Sequence, residues 1–426
     1  MKRLTWALLF ALPGTSYGQW WEDPMGIPKI PMAHDFRPKV ADFNGDGRLD
    51  VLMQPGYFPT QFEWYEQMPS NKWVRQRMGT LPLADLKVFE VSDADGDGDP
   101  DVMVLESVAP PTQVRLTQIL NDGSGTTWTP IVVPVPSAYR RGDSMVFGDL
   151  DGDLDADMVL GVSYSAVGID DFLLYECTPA GFKFRGVLGP CDHSRPAVLM
   201  DYNGDGLLDV GGVAGPLGNG WLRNRSTPGQ FAFDQGPYYT IQHDSRYPFQ
   251  TTDWDRDGDV DLIYPWYARI YWMENLGSGA FAPPAVILDA GQGASGPILV
   301  FATEVADLNG DGFAECLYLV LENSYTTSKV RSIEYQTTGP PQPVHTLCQF
   351  EGARGLRSVL PWDPDQDGDL DLLLDIGYQG GVGLSNLENN PNLGAAVACP
   401  GSINSWGRRG VLLAVGSEVV AQNNLT

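Results

Sequence analysis

Asp253-Trp254-Asp255-Arg256-Asp257-Gly258-Asp259-Val260-Asp261 is a nine-residue loop whose form recurs seven times along the chain. The other copies begin at Asp42 (DFNGDGRLD), Asp93 (DADGDGDPD), Asp149 (DLDGDLDAD), Asp201 (DYNGDGLLD), Asp307 (DLNGDGFAE) and Asp363 (DPDQDGDLD), at intervals of 51 to 56 residues. Self-similarity at such a period marks a repeat architecture, in which each unit buries its apolar faces against its neighbours. Length alone would suggest two or three domains. The even spacing from Asp42 to Asp363 overrules that, because it leaves no room for a separate domain between copies.

Outward from the fifth loop, an extended stretch ending in Thr251-Thr252 leads in and the apolar run Leu262-Ile263-Tyr264 leads out. Arg269 to Glu274 follows, then a turn at Asn275-Leu276-Gly277-Ser278-Gly279 and a further extended piece from Phe281 to Leu288. Short apolar runs between turns rich in Gly, Asn and Pro predict four strands per unit, and no stretch of comparable length shows helical periodicity. Four-stranded units of about fifty residues are the blades of a β-propeller. The expected fold is all-β, a seven-bladed β-propeller over residues 19–395 with one ion-binding hairpin loop per blade. Closure of the ring is expected from the N-terminal segment Trp20–Ile30 rather than from the tail after Gly394. Residues 396–426, with the apolar stretch Val411–Val420, have no assigned role.

The loop consensus is Asp at position 1, Asp or Asn at 3, Asp at 5, Gly at 6 and an acid at 9. In a tight loop the odd-numbered side chains turn toward a common centre. Carboxylate and amide oxygens, a backbone carbonyl and water make up the six to eight oxygens that calcium prefers. The expected ligands are Asp42, Asn44, Asp46 and Asp50; Asp93, Asp95, Asp97 and Asp101; Asp149, Asp151, Asp153 and Asp157; and Asp201, Asn203, Asp205 and Asp209. In the last three loops they are Asp253, Asp255, Asp257 and Asp261; Asp307, Asn309, Asp311 and Glu315; and Asp363, Asp365, Asp367 and Asp371. Up to seven structural Ca²⁺ ions follow from the seven copies. Zinc would require Cys or His, and Cys316 is the one such neighbour of the loops. An EF-hand is excluded: it closes with Glu at position 12, where the first loop has Met53 and the fifth Tyr264, and its flanks are helical. Two copies depart from the pattern. Leu154 stands at position 6 of the third loop, where a positive φ would cost a branched side chain about 1–2 kcal/mol, so this site is expected to be the weakest or most distorted. Glu315 replaces Asp at position 9 of the sixth and is expected still to reach the ion.

The loops also explain the charge. Of 54 acidic residues 29 lie inside them, and seven divalent ions would bring the formal charge from −27 to about −13. No basic patch is present to neutralise phosphates, which argues against nucleic acid as a partner. Extracellular calcium modules have Kd of about 10⁻⁴ to 10⁻³ M. At millimolar calcium each site then adds about 0.4 to 1.4 kcal/mol, and seven together rival the whole stability of about 5–15 kcal/mol of an ordinary domain.

Lys2-Arg3, the apolar stretch Leu4–Leu12 and small residues at Ser16 and Gly18 predict a signal peptide over 1–18, cleaved before Gln19. That apolar run is too short to span a bilayer, and no later stretch is long enough, so a secreted or cell-surface protein without a transmembrane segment is expected. Five cysteines fit an oxidising compartment. Cys177 with Cys191 and Cys316 with Cys348 could each bridge neighbouring strands, leaving Cys399, and five buried thiols fit equally well.

Residues Asp42 to about Asn390 resemble the FG-GAP or VCBS-type repeats found in integrin α-subunit propellers and in many secreted bacterial proteins. The seven loops carry the resemblance, together with Tyr271-Trp272-Met273-Glu274-Asn275-Leu276-Gly277-Ser278-Gly279-Ala280-Phe281, which is similar to the family's second hallmark. Phe62-Glu63-Trp64-Tyr65-Glu66 is a degenerate copy of it, and Val146-Phe147-Gly148 matches the Phe-Gly element loosely. The resemblance implies a seven-bladed propeller with calcium in a hairpin loop of each blade, on the face away from the ligand surface.

A secreted or cell-surface binding or adhesion module for a protein or glycan ligand is the leading expectation, since a rigid ring with variable loops suits recognition. Aromatic pairs such as Trp64-Tyr65 and Tyr271-Trp272 could stack on sugars or pack between blades. The alternative is a carbohydrate-active enzyme of lyase or dehydratase type on the same scaffold. Against it, His34, His193, His243 and His345 are scattered among the repeats, and no H-E-x-x-H or G-x-S-x-G signature occurs. Arg141-Gly142-Asp143 is a chance tripeptide leading into the third loop, and Asn224-Arg225-Ser226 and Asn424-Leu425-Thr426 fit the glycosylation sequon.

Overall fold

A computed structural model describes residues 38–387 except 55–61, 70–72, 80, 82, 109–112, 164–169, 192–196, 216–217, 240–248, 278, 292–297, 309–311, 323–326, 336–343, 352–355, 364–365, 367–369 and 379–380, together with 412–415 and 418–421. The expected signal peptide and closing segment 20–30 lie outside these residues, as do His34, His193 and His243.

Every acidic loop joins the first two strands of an antiparallel sheet. The first blade is β1 (Lys39–Ala41), β2 (Asp50–Met53), β3 (Glu63–Gln67) and β4 (Trp73–Arg77). The second is β5 (Asp85–Ser92), β6 (Asp101–Val108), β7 (Gln113–Asn121) and β8 (Trp128–Val133). The third, β9 (Arg141–Gly148), β10 (Asp157–Ser163), β11 (Asp170–Glu176) and β12 (Lys183–Cys191), repeats the order. So does the fourth, β13 (Val198–Met200), β14 (Asp209–Gly215), β15 (Gly218–Asn224) and β16 (Phe233–Tyr239), joined to the third by the single pair Cys191–Val213. The fifth is β17 (Gln250–Thr252), β18 (Asp261–Trp266), β19 (Arg269–Met273) and β20 (Ala285–Asp289), and the sixth β21 (Leu299–Ala306), β22 (Glu315–Glu322), β23 (Thr327–Ile333) and β24 (Val344–Glu351). The seventh loop joins the first two strands of a three-stranded sheet, β25 (Leu356–Trp362), β26 (Asp371–Tyr378) and β27 (Gly381–Leu387). A separate hairpin, β28 (Leu412–Val415) and β29 (Glu418–Ala421), accounts for most of the apolar stretch in the tail.

The fold is thus an all-β propeller of four-stranded blades. The expected count of seven such blades is corrected to six, with a three-stranded sheet around the seventh loop, among the described residues. The correction follows from the number of strands: no fourth strand pairs with β25 or β27 among the described residues.

Sequence dictates the place of each strand. Second strands are runs such as Val102-Met103-Val104-Leu105, buried throughout because both faces are covered by neighbouring blades. Last strands such as Trp73–Arg77 and Lys183–Cys191 are exposed edges, and they carry the charges that blunt an edge against further pairing. The core lies between blades. One cluster joins the first and second through Phe43, Leu52, Trp64, Phe89 and Val104, and the fourth and fifth meet through Met200, Trp221, Leu262 and Tyr264. The ring closes where Trp362 and Leu373 of the three-stranded sheet pack on Val51, Tyr65 and Trp73 of the first blade, the Trp73 and Trp362 rings 5.7 Å apart.

The possible Cys177–Cys191 bridge is not formed. Cys177 lies in the core between the second and third blades and Cys191 in that between the third and fourth, and both, like Cys316, are buried thiols. Among the described residues no helix is long and apolar enough to cross a membrane.

Candidate functional site

Backbone hydrogen bonds build the first six acidic loops around their first residues. The Asp42 carboxylate accepts the N–H groups of Asp46 (3.0 Å) and Gly47 (2.7 Å). Asp93 accepts those of Gly96, Asp97 and Gly98 at 2.8 to 3.1 Å, and Asp201 those of Gly204, Asp205 and Gly206 at 2.7 to 3.1 Å. Curling so many amides toward one carboxylate requires left-handed backbone at two places. Position 6 has φ of 84° at Gly47 and 99° at Gly258, and position 4 has 70° at Gly45, 69° at Arg256 and 58° at Gln366. The loop consensus does not include the second left-handed position, although glycine occupies it in five of the seven copies.

Position 2 points the other way, into the core. Phe43, Ala94, Leu150, Tyr202 and Trp254 are all buried there. Position 9 ties this anchor to the blade. Asp50 accepts the N–H of Phe43 (3.1 Å) on one oxygen and that of Gln67, at the end of β3, on the other (2.8 Å). Asp101 does the same with Ala94 and Asn121, Asp157 with Leu150 and Cys177, and Asp261 with Trp254 and Asn275. All four are fully buried.

The remaining odd positions gather oxygens. Ligand atoms of Asp93, Asp95 and Asp101 lie within 4.8 Å of one another, as do those of Asp149, Asp151 and Asp157, and those of Asp253, Asp255 and Asp257. Position 3 is the informative one: Oδ1 of Asp95, of Asp151 and of Asp255 is buried and has no hydrogen-bond partner. A buried carboxylate oxygen without a donor is costly unless a cation supplies the missing charge. The donor set is hard oxygen, suited to a hard divalent ion. Position 5 contributes less directly, since Asp97, Asp153 and Asp257 each spend one oxygen on the N–H of position 7.

Burial without a cation disfavours the charged forms. Burial, and secondarily the neighbouring loop carboxylates, push Asp50, Asp101 and Asp157 up to about 7, against the lowering effect of their backbone hydrogen bonds. Asp209 and Asp261 rise to about 6 for the same first reason. Asp95, Asp151 and Asp255 are raised by burial and by the charges beside them.

The loops are not equivalent. Leu154 adopts φ of 79° and stands 92% exposed, yet Asp149, Asp151 and Asp157 converge as in the second loop. The expected distortion of the third site is therefore absent from its geometry, and the misfit is held as backbone strain at Leu154 instead. In the first loop Asn44 accepts the Asp46 N–H, while Asp46 pairs with Arg48. In the fourth, Arg223 donates to both Asn203 (3.3 Å) and Asp205 (3.2 Å), and Asn203 donates to Asp209 (2.7 Å). These two loops carry a cation of their own beside the site, from residues the loop consensus does not include. In the sixth, Asp307 accepts the Gly312 N–H (2.7 Å) and Glu315 that of Leu308 (2.8 Å), so Glu315 fills the anchoring role of position 9. Asn309, Asp311, Asp365 and Asp367 lie outside the described residues; Asp371 is buried at the start of β26.

The second hallmark turns out to lock blade to blade. Asn275 Nδ2 donates to the carbonyls of Tyr202, in the preceding loop, and Val260, in its own, both at 3.1 Å. Asn121 reaches Phe43 (2.8 Å) and Asn224 reaches Leu150 (2.6 Å) in the same way. Phe281 then stacks on Trp221 of the fourth blade at 5.7 Å and 9°. The sugar-stacking option for Trp64-Tyr65 and Tyr271-Trp272 is corrected accordingly. Trp64 and Tyr65 are buried, Tyr271 stacks on Tyr264 (5.4 Å), and Trp272 Nε1 donates to Asp261 (2.9 Å). Asn224 is fully buried and doubly engaged, which removes its sequon from use, and Gly142 of the Arg-Gly-Asp tripeptide is packed on Leu105 within β9.

Residues 93–160 and 253–318 match the FG-GAP-like repeat family. Among curated proteins none matches the chain in sequence. An Agrocybe aegerita lectin that recognises non-reducing terminal N-acetylglucosamine is similar in structure, with a TM-score of 0.50 and 18% identity over 73% of this chain and 79% of that one. BBS1N, in its complex with ARL6DN, is similar at a TM-score of 0.49 and 10% identity, over 86% and 96% of the two chains. The Tc holotoxin pore of Photorhabdus luminescens gives 0.41 and 19%, over 73% of this chain and 14% of that one. At these identities the likeness is one of fold.

Two outcomes follow from the loop geometry. Leu154→Gly relieves the left-handed strain and should stabilise the protein by about 1 kcal/mol, less the entropy glycine adds to the unfolded chain; a lowered urea midpoint would contradict this. For metal-free protein the position 9 carboxyls bind protons more tightly folded than unfolded. Their contribution is therefore fully present below about pH 4 and lost as pH rises through about 7. Urea midpoints in chelator should fall across that window, and midpoints that rise instead would show the carboxylates to be stabilised without a cation.

Proposed function

We propose that this chain, a β-propeller of the FG-GAP repeat family, is an exported, calcium-stabilised recognition module that binds a protein or glycan on the face opposite its acidic loops. The observation that carries the calcium part is the unpartnered buried oxygen of Asp95, Asp151 and Asp255, each residue being a member of a three-carboxylate cluster. Hard oxygen donors in an irregular cage suit calcium better than magnesium, which holds its water and demands near-octahedral geometry. The second, third and fifth loops would hold the ion most directly, through Asp93, Asp95 and Asp101, through Asp149, Asp151 and Asp157, and through Asp253, Asp255 and Asp257. In the first and fourth loops Asn44 and Asn203 would replace a carboxylate, with Arg48 and Arg223 weakening the site. The ion would supply charge neutralisation, not chemistry.

The three-stranded sheet β25–β27 is best regarded as the core of a seventh blade, since the seventh loop joins its first two strands and it packs on the first blade. A ring tied together on the loop side leaves the opposite hairpins free to vary, which suits recognition. The similar lectin fold makes glycans, and terminal N-acetylglucosamine among them, the first ligands to try. No observation favours the carbohydrate-active enzyme over this reading.

Thermal unfolding of the chain from Gln19 onward, with millimolar calcium, magnesium or chelator, tests the proposal. At about 0.4 to 1.4 kcal/mol per site the midpoint should rise by several degrees or more in calcium and much less in magnesium. Equal midpoints in calcium and chelator would overturn it.

A further inference from the structure

The hairpin between β18 and β19 lies at the end of the fifth blade away from its acidic loop. Its tip, Tyr267-Ala268, holds an aromatic residue in the left-handed region with φ of 54°, and Tyr267 is 66% exposed. The other described non-glycine residues with positive φ, Leu154, Arg256 and Gln366, all belong to acidic loops, where the curl of the loop demands it. At Tyr267 the two-residue hairpin turn, closed by the pair Trp266–Arg269, demands positive φ at a position where glycine or asparagine is preferred, and a bulky residue strained in this way is a mark of functional sites. The turn is also tied down from outside. The Tyr267 carbonyl accepts the N–H of Val300 in the sixth blade, and the Ala268 carbonyl that of Ala290, both at 2.8 Å.

Trp266 lies 5.2 Å from Tyr267 and 5.9 Å from Tyr271, which itself stacks on the buried Tyr264, so the exposed ring rests on a column of half-buried aromatic rings that ends in the core. Beside it opens a concavity of about 480 Å³ lined by Trp266, Tyr267, Ala268, Arg269, Asp289 and Gly291. Arg269 Nε donates to Asp289 (2.9 Å), whose other oxygen accepts the Gly291 N–H (3.1 Å).

We propose that this concavity binds one neutral pyranose ring, as the terminal residue of a glycan. The inference rests on the recognition-module reading and adds to it a place and a ligand class. An exposed aromatic face matches the apolar C–H face of a pyranose, while its hydroxyls both donate and accept. Arg269 and Asp289 offer donors and acceptors side by side, as a pair of adjacent hydroxyls needs. Because the two charges compensate, the site favours neither anion nor cation, and the chain's net charge of −27 disfavours acidic sugars further. The volume falls within the range of about 300–1,000 Å³ usual for small-molecule sites.

Saturation-transfer NMR on the full chain in calcium, with methyl glycosides of the neutral hexoses and N-acetylhexosamines, tests the site. At least one glycoside should show transfer, and Tyr267→Gly should weaken it by about tenfold or more. Glycine tolerates the left-handed backbone, so this variant should melt no lower than the parent, which separates lost binding from lost folding. Tyr267→Phe should retain transfer, and Arg269→Ala should reduce it. Transfer that survives Tyr267→Gly unchanged would overturn the site, and no transfer from any of these glycosides would overturn the ligand class. Neither result touches the broader reading, whose failure shows in the response of unfolding to calcium.

Discussion

The carboxylate that ends each acidic loop, as at Asp50, Asp101, Asp157, Asp209 and Asp261, accepts one backbone N–H from the second residue of its loop and another from the end of the blade's third strand. Two otherwise orphaned amides in the core are satisfied by one side chain, and the loop is fixed to the sheet. The same bond presses the second loop residue into the seam between blades. From that seam an asparagine, Asn121, Asn224 or Asn275, reaches the loop of the blade before it. Removing any one of these carboxylates would strand two buried N–H groups, each costing about 1–3 kcal/mol.

A fully buried carboxylate at the heart of every blade creates an electrostatic problem that the loops make worse. Acidic residues at positions 1, 3 and 5 crowd the same end, and Asp95, Asp151 and Asp255 each keep a buried oxygen without a donor. Protonation would relieve the crowding, and so would a divalent cation. The loops containing Asn44 and Asn203 relieve it differently, by amide hydrogen bonds and by Arg48 and Arg223. This division separates the loops into those whose charge calls for an ion and those already partly compensated.

The repeat period, the strand order and the end of the blade that carries the acidic loops were legible in the sequence, because seven copies of one spacing leave little freedom. The left-handed conformation at Leu154 was legible too, since position 6 is glycine in the other copies. Less visible was position 9, which resembles a ligand by residue type but acts first as a backbone anchor. That role depends on amides contributed by β3, β7, β11, β15 and β19, which no loop motif contains. Arg223 is a similar case, eighteen residues from Asp205 in sequence and in contact with it through the sheet register. The aromatic pairs were ambiguous because stacking on sugar and stacking between blades demand the same residues; burial alone decides for Trp64 and Tyr65. Tyr267 carried no sequence signal, since neither it nor Ala268 is the glycine or asparagine that marks a two-residue hairpin turn.

Equilibrium dialysis of chelator-treated protein against calcium, with bound metal counted per chain, tests the central claim most directly. Several ions per chain are predicted. Occupancy should fall by about one when Asp95, Asp151 or Asp255 is replaced singly by alanine, and by about three in the triple variant. Occupancy near zero in the parent, or a triple variant that binds as much calcium as the parent, would contradict the account.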